Sequence, residues 1–366
     1  MGDEDAYKNQ FSPDMKSSPT ADVAEEVLLY ARTQWKDAKK EGQGRSAMER
    51  NNETLTDFIL LGPWPELSHL VVLICLILLV YFAAVVGNAA LMLLIWLDPR
   101  LHSPMYFLLS QLSFIDLALI STSVPKMVTN FFSGKRTISQ AGCGIQIFFS
   151  LTLGIAECLL LTLMSYDRYI TICNPLRYPA IMSHTACTQM VLGSWVGGAV
   201  TSLAHTAYAM HFPICRPRKI PHFLCEVMAL LKLTCEDTSA YVKSVVVSSF
   251  LVVLIPLSLI LASYALILLT VLRMSSPEGR NKALATCSSH LGVVSLYFGP
   301  AILVYMRPGS SKTPGLNQSL FMFNAILTPM LNPLIYSLRN RDVTAALRST
   351  VASRCPLRNR SSLCSC

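Results

Sequence analysis

The sequence predicts an all-α membrane protein: a seven-transmembrane helix bundle with an extracellular N-terminus and a cytoplasmic C-terminus. Three observations lead there. Hydrophobic residues make up 52% of the 366-residue chain and charged residues only 14%, where a soluble domain carries about 25% charged. Seven predominantly apolar runs lie near 68–96, 104–130, 142–172, 188–210, 243–272, 284–306 and 316–337, and crossing a bilayer as a helix takes about 20 such residues. No polar linker divides residues 67–337, although a soluble chain of this length would normally split into two domains. The runs are too long for β-barrel strands and do not alternate.

Residues 1–47 open on "MGDEDAYKNQFSPDMKSSPT", which lacks the apolar core of a signal peptide. The stretch "ADVAEEVLLYARTQWKDAKK" has a stripe of Val23, Val27, Leu28 and Ala31 suited to a short amphipathic helix. Its composition nevertheless reads as a disordered extension. Residues 48–67 form an extracellular N-terminal segment, with Asn52 of "NET" as a glycan acceptor. The transmembrane domain is 68–337. Residues 338–366 are a cytoplasmic tail containing a short amphipathic helix.

The first run, "LVVLICLILLVYFAAVVGNAALMLLIWL", is unbroken by charge and carries Asn88 deep inside it. The second holds Asp116, the third Glu157 and the seventh Asn332. Polar groups in hydrocarbon are costly, so each marks a candidate site. On the third run Ser150, Gly154, Glu157, Leu161, Met164 and Arg168 recur at steps of four and three, which is one helical face. Asp116 and Glu157 are candidates to share a proton or a sodium ion, held by hard oxygen ligands. The alternative is a neutral carboxyl bonded to a neighbour. Pro256, Pro300, Pro329 and Pro333 punctuate the last three runs and favour kinks.

Orientation rests on several signals. Arg100, Arg273, Arg280, Lys282, Arg339, Arg341 and Arg348 fall on one side, which the positive-inside rule assigns to the cytoplasm. Lys135, Arg136, Arg216, Arg218 and Lys219 fall on the other. The sequon at Asn52 and the cysteines Cys143, Cys215, Cys225 and Cys235 settle that other side as extracellular. The sequons at Asn317 and Asn359 are expected to stay unused, one crowding a span and the other cytoplasmic.

The four extracellular cysteines read as two bridges, and spacing leaves three connectivities open. Cys75, Cys158, Cys173, Cys187 and Cys287 read as buried thiols, and Cys355, Cys364 and Cys366 as tail positions open to palmitoylation. "HFLCE" brings His222, Cys225 and Glu226 close together. A bridged Cys225 cannot supply a thiolate, so a metal is not expected.

Several stretches together resemble an olfactory receptor of the rhodopsin-like (class A) G-protein-coupled receptors. They are "GN" at 87–88, "LHSPMYFLLSQLSFIDL" at 101–117, "MSYDRYITICNPLRY" at 164–178, "SY" at 263–264, "KALATCSSHL" at 282–291 and "PMLNPLIYSLRN" at 329–340. They run in family order across residues 50–350. The resemblance implies that Asp167, Arg168 and Tyr169 form the coupling motif, with Asp167 holding Arg168 until activation releases it. It implies that Asn332, Pro333 and Tyr336 form a switch in span seven, met by Tyr264 from span five. Asp116 and Glu157 match the family's internal ion or proton site. The implied disulfides are Cys143–Cys225 and Cys215–Cys235.

The same resemblance implies an odorant cavity lined by Ile147, Ser150, Leu151, Gly154, Ser248, Val252, Phe298, Ala301, Ile302, Tyr305 and Met322. That set is apolar with a few hydroxyls and no formal charge, which suits small, mostly neutral volatile molecules. Ser150 stands where amine receptors of the wider class carry an aspartate, so a biogenic amine is not expected. Span seven has no lysine, which excludes a retinal Schiff base. "SLYFGP" at 295–300 departs from the family's usual "SLFYGT", and places Phe298 where a tyrosine is usual. Tyr297 is not expected to compensate, because neighbouring helical residues point about 100° apart.

Implied partners are a small-molecule odorant, a heterotrimeric stimulatory G protein that raises cAMP, and membrane lipid; nucleic acid is not among them. No cofactor is expected beyond an internal sodium ion. The implied location is the plasma membrane, in the cilia of olfactory sensory neurons. A transporter would show internal repeats with paired interrupted helices, and an enzyme a catalytic constellation; neither pattern is in the sequence.

Overall fold

The computed structural model describes residues 57–62, 67–133, 136–305 and 314–354. The extension 1–47, Asn52, and the tail cysteines Cys355, Cys364 and Cys366 lie outside them. Helices α1 (Leu67–Leu97), α2 (Pro104–Ser133), α3 (Gln140–Cys173), α4 (His184–His211), α5 (Ser239–Leu272) and α6 (Pro277–Tyr305) follow the predicted runs closely. The seventh, α7, is built from Pro314–Met322, a π-helical stretch Phe323–Leu327, and Thr328–Arg339. A further helix, α8 (Arg341–Arg354), follows and buries Val343 and Ala346 against the bundle.

Six of these helices are long and apolar enough to cross a membrane; α4, with 28 residues, has the length. Its shortfall in apolarity has a residue-level cause. Ser194, Ser202 and Thr206 are buried on it, so its polar groups face its neighbours. The bundle's outer surface is the reverse of a soluble protein's. Val72, Leu79, Trp96, Leu203 and Leu272 are all well over half exposed, an arrangement water would penalise and lipid would not. Cys75 is on this outer side, exposed instead of buried as expected.

Local chemistry sets the helix ends. The Ser139 hydroxyl accepts from the Gly142 N–H at 3.1 Å to cap α3, and Ser183 caps α4 by accepting from Ala186 at 3.3 Å. Asn174 ends α3, and Pro175 begins a single 3₁₀ turn, Pro175–Arg177, because the residue before a proline is disfavoured in helix. Helix α3 packs against α2, α4, α5 and α6, leaving only a narrow outer face that includes Ile145 and Phe149 exposed.

The loops at one end are tied together, and we call this the disulfide end. Strand β1 (Phe58–Leu60) pairs antiparallel with β2 (Thr137–Ile138) and parallel with β3 (Lys219–Ile220). Disulfides join Cys143 to Cys225 and Cys215 to Cys235. The long connection between α4 and α5 also contains a short helix, Val227–Leu231, whose Leu230 is fully buried.

Two glycines mark close helix approaches. A Cβ at Gly87 would stand 3.1 Å from the Pro333 ring, where α1 meets α7. One at Gly198 would stand 3.0 Å from the Thr152 carbonyl oxygen, where α4 meets α3. Backbone cannot yield as a flexible side chain does. Gly198→Leu is therefore expected to destabilise the bundle by about 1–3 kcal/mol, read as a lower melting midpoint of the purified chain.

Candidate functional site

Near the disulfide end, α3, α4, α5, α6, α7 and the α4–α5 connection enclose a cavity of about 240 Å³. From α3 it takes Ile147, Ser150, Leu151, Gly154 and Glu157; from α5, Ser248 and Val252; from α6, Ala301. Seven of the expected lining residues thus converge: Ile147, Ser150, Leu151, Gly154, Ser248, Val252 and Ala301. The α3 stripe supplies two of them, Ser150 and Gly154, together with Glu157, because these three share one face.

Three expected residues do not line it. On α6 the wall is formed by Tyr297, Pro300, Ala301 and Val304, spaced at three and four. Phe298 and Ile302 occupy the adjacent stripe, one residue round. Phe298 is 1% exposed in the main core, and Ile302 packs against that core. On α7 Leu320, Phe321, Asn324 and Ala325 face the cavity, while Met322 packs against the cluster of Ile77, Val124 and Phe223. The side chain of Tyr305 lies outside the described residues.

The phase of α6 also overturns the expectation about its hydroxyl. Tyr297, not Phe298, faces the cavity, and its OH donates to the Gly154 carbonyl oxygen at 2.6 Å. The Asn324 amide in turn donates to the Tyr297 carbonyl at 3.3 Å. One tyrosine therefore bridges α3, α6 and α7 at the cavity wall. Tyr297→Phe is expected to loosen this bridge by about 1 kcal/mol, measured as a change in basal and ligand-stimulated signalling without loss of surface protein.

The cavity is also more polar than expected. Glu157, Glu226 and His205 line it. His205, on α4, meets the Ser248 hydroxyl through Nε2 at 3.1 Å, and its backbone carbonyl accepts from Tyr241 at 2.7 Å. Sequence reasoning passed over His205 and weighed Glu226 only as a metal ligand beside His222 and Cys225, yet a signal existed for each. An ionisable residue inside a span marks a site by default, and Glu226 follows a cysteine bridged to α3. The nearby His222 accepts from the Leu224 N–H at 3.2 Å and stacks on Phe223 at 4.6 Å between ring centres. Burial holds its imidazole down at about 4.

Beneath the cavity lie the buried carboxyls. Asn332 donates from Nδ2 to both oxygens of Asp116, at 3.1 and 3.0 Å. Asn88 donates to the carbonyls of Ala84 and Pro329, at 3.0 and 2.8 Å, tying α1 to α7. Three oxygens here are buried with no hydrogen-bond donor among the described residues: Glu157 Oε1, Asn332 Oδ1 and Asn88 Oδ1.

At the opposite end, the Arg168 Nε stands 3.8 Å from the Asp167 Oδ2, which is an ion pair and too long for a hydrogen bond. Asp167 is fully buried and takes its hydrogen bond from Tyr178, at 2.9 Å. Burial, and the Asp167 charge beside it, push the Tyr178 phenol above its ordinary value. Tyr169 packs against the main core, with its ring 6.5 Å from that of Tyr166.

Tyr264 has a partner that the sequence reading did not assign. Its hydroxyl meets the His290 Nδ1 of α6 at 2.7 Å, while the buried Tyr336 hydroxyl has no partner among the described residues. The His290 Nε2 is orphaned too. Pro333, in α7, packs its ring beside Gly87. A second tie runs from α2, where the Tyr106 hydroxyl contacts Asn340 and Asp342 at 3.2 and 3.1 Å.

Comparison with known proteins places this geometry. Residues 75–354 match the protein family described as olfactory receptor. Among curated proteins, the chain is similar to olfactory receptor 2AJ1 of Homo sapiens, 52% identical over 304 residues, covering 83% of this chain and 93% of that protein. It is likewise 51% identical to human olfactory receptor 2L2 over 304 residues, covering 83% and 97%. For human olfactory receptor 2T27 the figures are 52% over 309 residues, covering 84% and 97%.

Proposed function

Because this chain belongs to the olfactory receptor family, a family of multi-pass G-protein-coupled receptors and not of enzymes, we propose that it detects small, mostly neutral volatile molecules in the cavity. Binding activates a stimulatory, olfactory-type G protein and raises cAMP. The protein works in the plasma membrane, in the cilia of olfactory sensory neurons, with lipid against its apolar outer face.

One observation carries the reading: a single face of α3 links the cavity to the coupling motif. Ser150, Gly154 and Glu157 line the cavity, Leu161 and Met164 continue the face with no exposed surface, and Arg168 ends it. At 240 Å³ the cavity is smaller than the roughly 300–1,000 Å³ typical of drug-sized ligands. That volume favours a ligand smaller than a drug-sized one, as volatile molecules are.

The mechanism is a population shift. A ligand acts by binding one arrangement of the bundle better than the other. Among the described residues, the Arg168 Nε, His290 Nε2 and Tyr336 OH have no hydrogen-bond partner in this arrangement, each at a cost of about 1–3 kcal/mol when buried. A rearrangement that gives them partners, with Arg168 leaving Asp167, offsets the cost of opening. Pro256, Pro300 and Pro333 lie inside α5, α6 and α7 and supply the kinks about which helix ends swing.

Asp116, Glu157 and Asn332 would hold an internal sodium ion or a shared proton. The donor-free oxygens of Glu157 and Asn332 are the hard ligands such a charge takes. A bound positive charge neutralises the buried carboxyls and favours the arrangement that keeps them together.

The test is a cAMP assay in cells bearing the olfactory G protein, with surface protein quantified, across a broad panel of volatiles. Responses to a subset of volatiles support the reading. A well-surfaced protein silent to every volatile but answering to peptides or lipids contradicts it.

A further inference from the structure

The cavity wall is chemically one-sided. Glu157 and Glu226 both line it, and among the described residues no lysine or arginine does. Three of the other polar side chains are already engaged. His205 is engaged by Ser248 at 3.1 Å, and Tyr297 by the Gly154 carbonyl at 2.6 Å. Glu157 Oε1 is itself buried and donor-free, in a residue 2% exposed, and such a group needs an explanation.

Glu226 is held in place by its neighbours. Cys225 is bridged to Cys143 at the start of α3, and its N–H donates to the Gln146 side-chain oxygen at 2.9 Å. The next residue, Glu226, is thereby fixed over the cavity. Burial pushes its carboxyl above the usual carboxylate range, with Lys232 acting in the opposite direction. Glu157 is accounted for by its place beside the Asp116 site. Glu226 has no such role.

Resting on the receptor reading above, and departing from its mostly neutral ligands at this one group, we propose that Glu226 is the anchoring acceptor of the cavity and that its preferred ligands are small volatile amines, which arrive as neutral bases and take a proton beside it. An ammonium supplies both the charge and the N–H donors that this wall lacks, and charge-assisted bonds are about twice as strong as neutral ones. Alcohols satisfy one acceptor and bind more weakly. Carboxylic acids bring like charge to Glu226 and are rejected, so specificity has a repulsive part as well as an attractive one. The anchor comes from the α4–α5 connection, not from α3, where Ser150 offers only a hydroxyl.

The test uses the purified full-length chain and a series on one carbon skeleton: hexylamine, hexan-1-ol, hexyl methyl ether and hexanoic acid. Ligand-induced rise of the melting midpoint reads binding apart from signalling. Hexylamine should act at concentrations about tenfold or more below hexan-1-ol, and hexanoic acid should give no shift. Glu226→Gln should weaken hexylamine by about tenfold or more and leave hexan-1-ol within about threefold; Glu226→Asp should restore part of the loss. An unchanged hexylamine response in Glu226→Gln overturns the proposal, as does a parent protein that ranks the acid or ether with the amine, or one that none of the four shifts. The two readings fail separately. Amine-dependent stabilisation without any cAMP response removes the signalling role and leaves the anchor standing. A cAMP response confined to ethers and acids keeps the receptor and removes the anchor.

Discussion

Arg168→Ala abolishes ligand-stimulated signalling while ligand binding stays within about threefold of the parent. The separation follows from placement. Arg168 lies at the end of α3 remote from the disulfides, and its side chain is 15% exposed beside the fully buried Asp167. It makes no contact with the cavity wall. Its Nε is unsatisfied here and its partner Asp167 is 3.8 Å away, so little holds it in this arrangement. Charge-assisted hydrogen bonds contribute about 1.5–3 kcal/mol, and the guanidinium can make several at once. Losing one such bond in the open arrangement alone lowers its population by roughly tenfold to a hundredfold. Ligand-induced melting shifts and cAMP, measured on the same variant, check this. A structural role would lower both together.

Cys225→Ser removes both surface receptor and ligand response. The bridge to Cys143 spans 82 residues of chain, a loop whose closure is worth at most about 4.5 kcal/mol in the chain-entropy model. The local effect is as large. Cys225 lines the cavity, its N–H holds Gln146, and Glu226 follows it directly. Without the bridge the α4–α5 connection loses its tie to α3 and the cavity loses part of its wall. Surface labelling and the melting midpoint report the first loss, and a ligand titration of the residual surfaced protein reports the second. Cys215→Ser removes a bridge that closes a shorter loop, 20 residues apart, and neither of its cysteines lines the cavity. Its effect is expected to be smaller, and a reversal of this order would count against the account.

The spans were readable because hydrocarbon allows few alternatives to a long apolar helix. The ends of α1, α2, α3 and α5 fall within a few residues of the runs seen in the sequence. The π-helical stretch Phe323–Leu327 was not readable, since one inserted residue shifts a helix's phase without changing its composition. The same limit explains the cavity. On α3 a polar stripe announces its own phase, and Ser150, Gly154 and Glu157 converge as that stripe requires. On α6 the stretch around Phe298 is apolar on every side, so position by resemblance put Phe298, Ile302 and Tyr305 forward where Tyr297, Pro300 and Val304 face inward. A rotation of one residue decides which ring carries the function.

Contacts between distant segments were the other blind spot. His290 was visible as an ionisable residue within a span, and its bond to Tyr264 spans 26 residues of sequence. Glu226 acquires a place only once Cys225 is bridged to Cys143. Asp116 was expected beside Glu157, and its hydrogen bond to Asn332 across 216 residues is a further contact of this kind.

The central claim is that cavity occupancy drives the Arg168 end of the bundle. Nucleotide exchange on a purified stimulatory G protein, catalysed by the purified full-length chain with a volatile agonist, tests it most directly. The account predicts that agonist accelerates exchange in the parent chain and that Arg168→Ala binds the agonist without accelerating it. Equal acceleration by Arg168→Ala, or an agonist that binds the parent and leaves exchange unchanged, would contradict it.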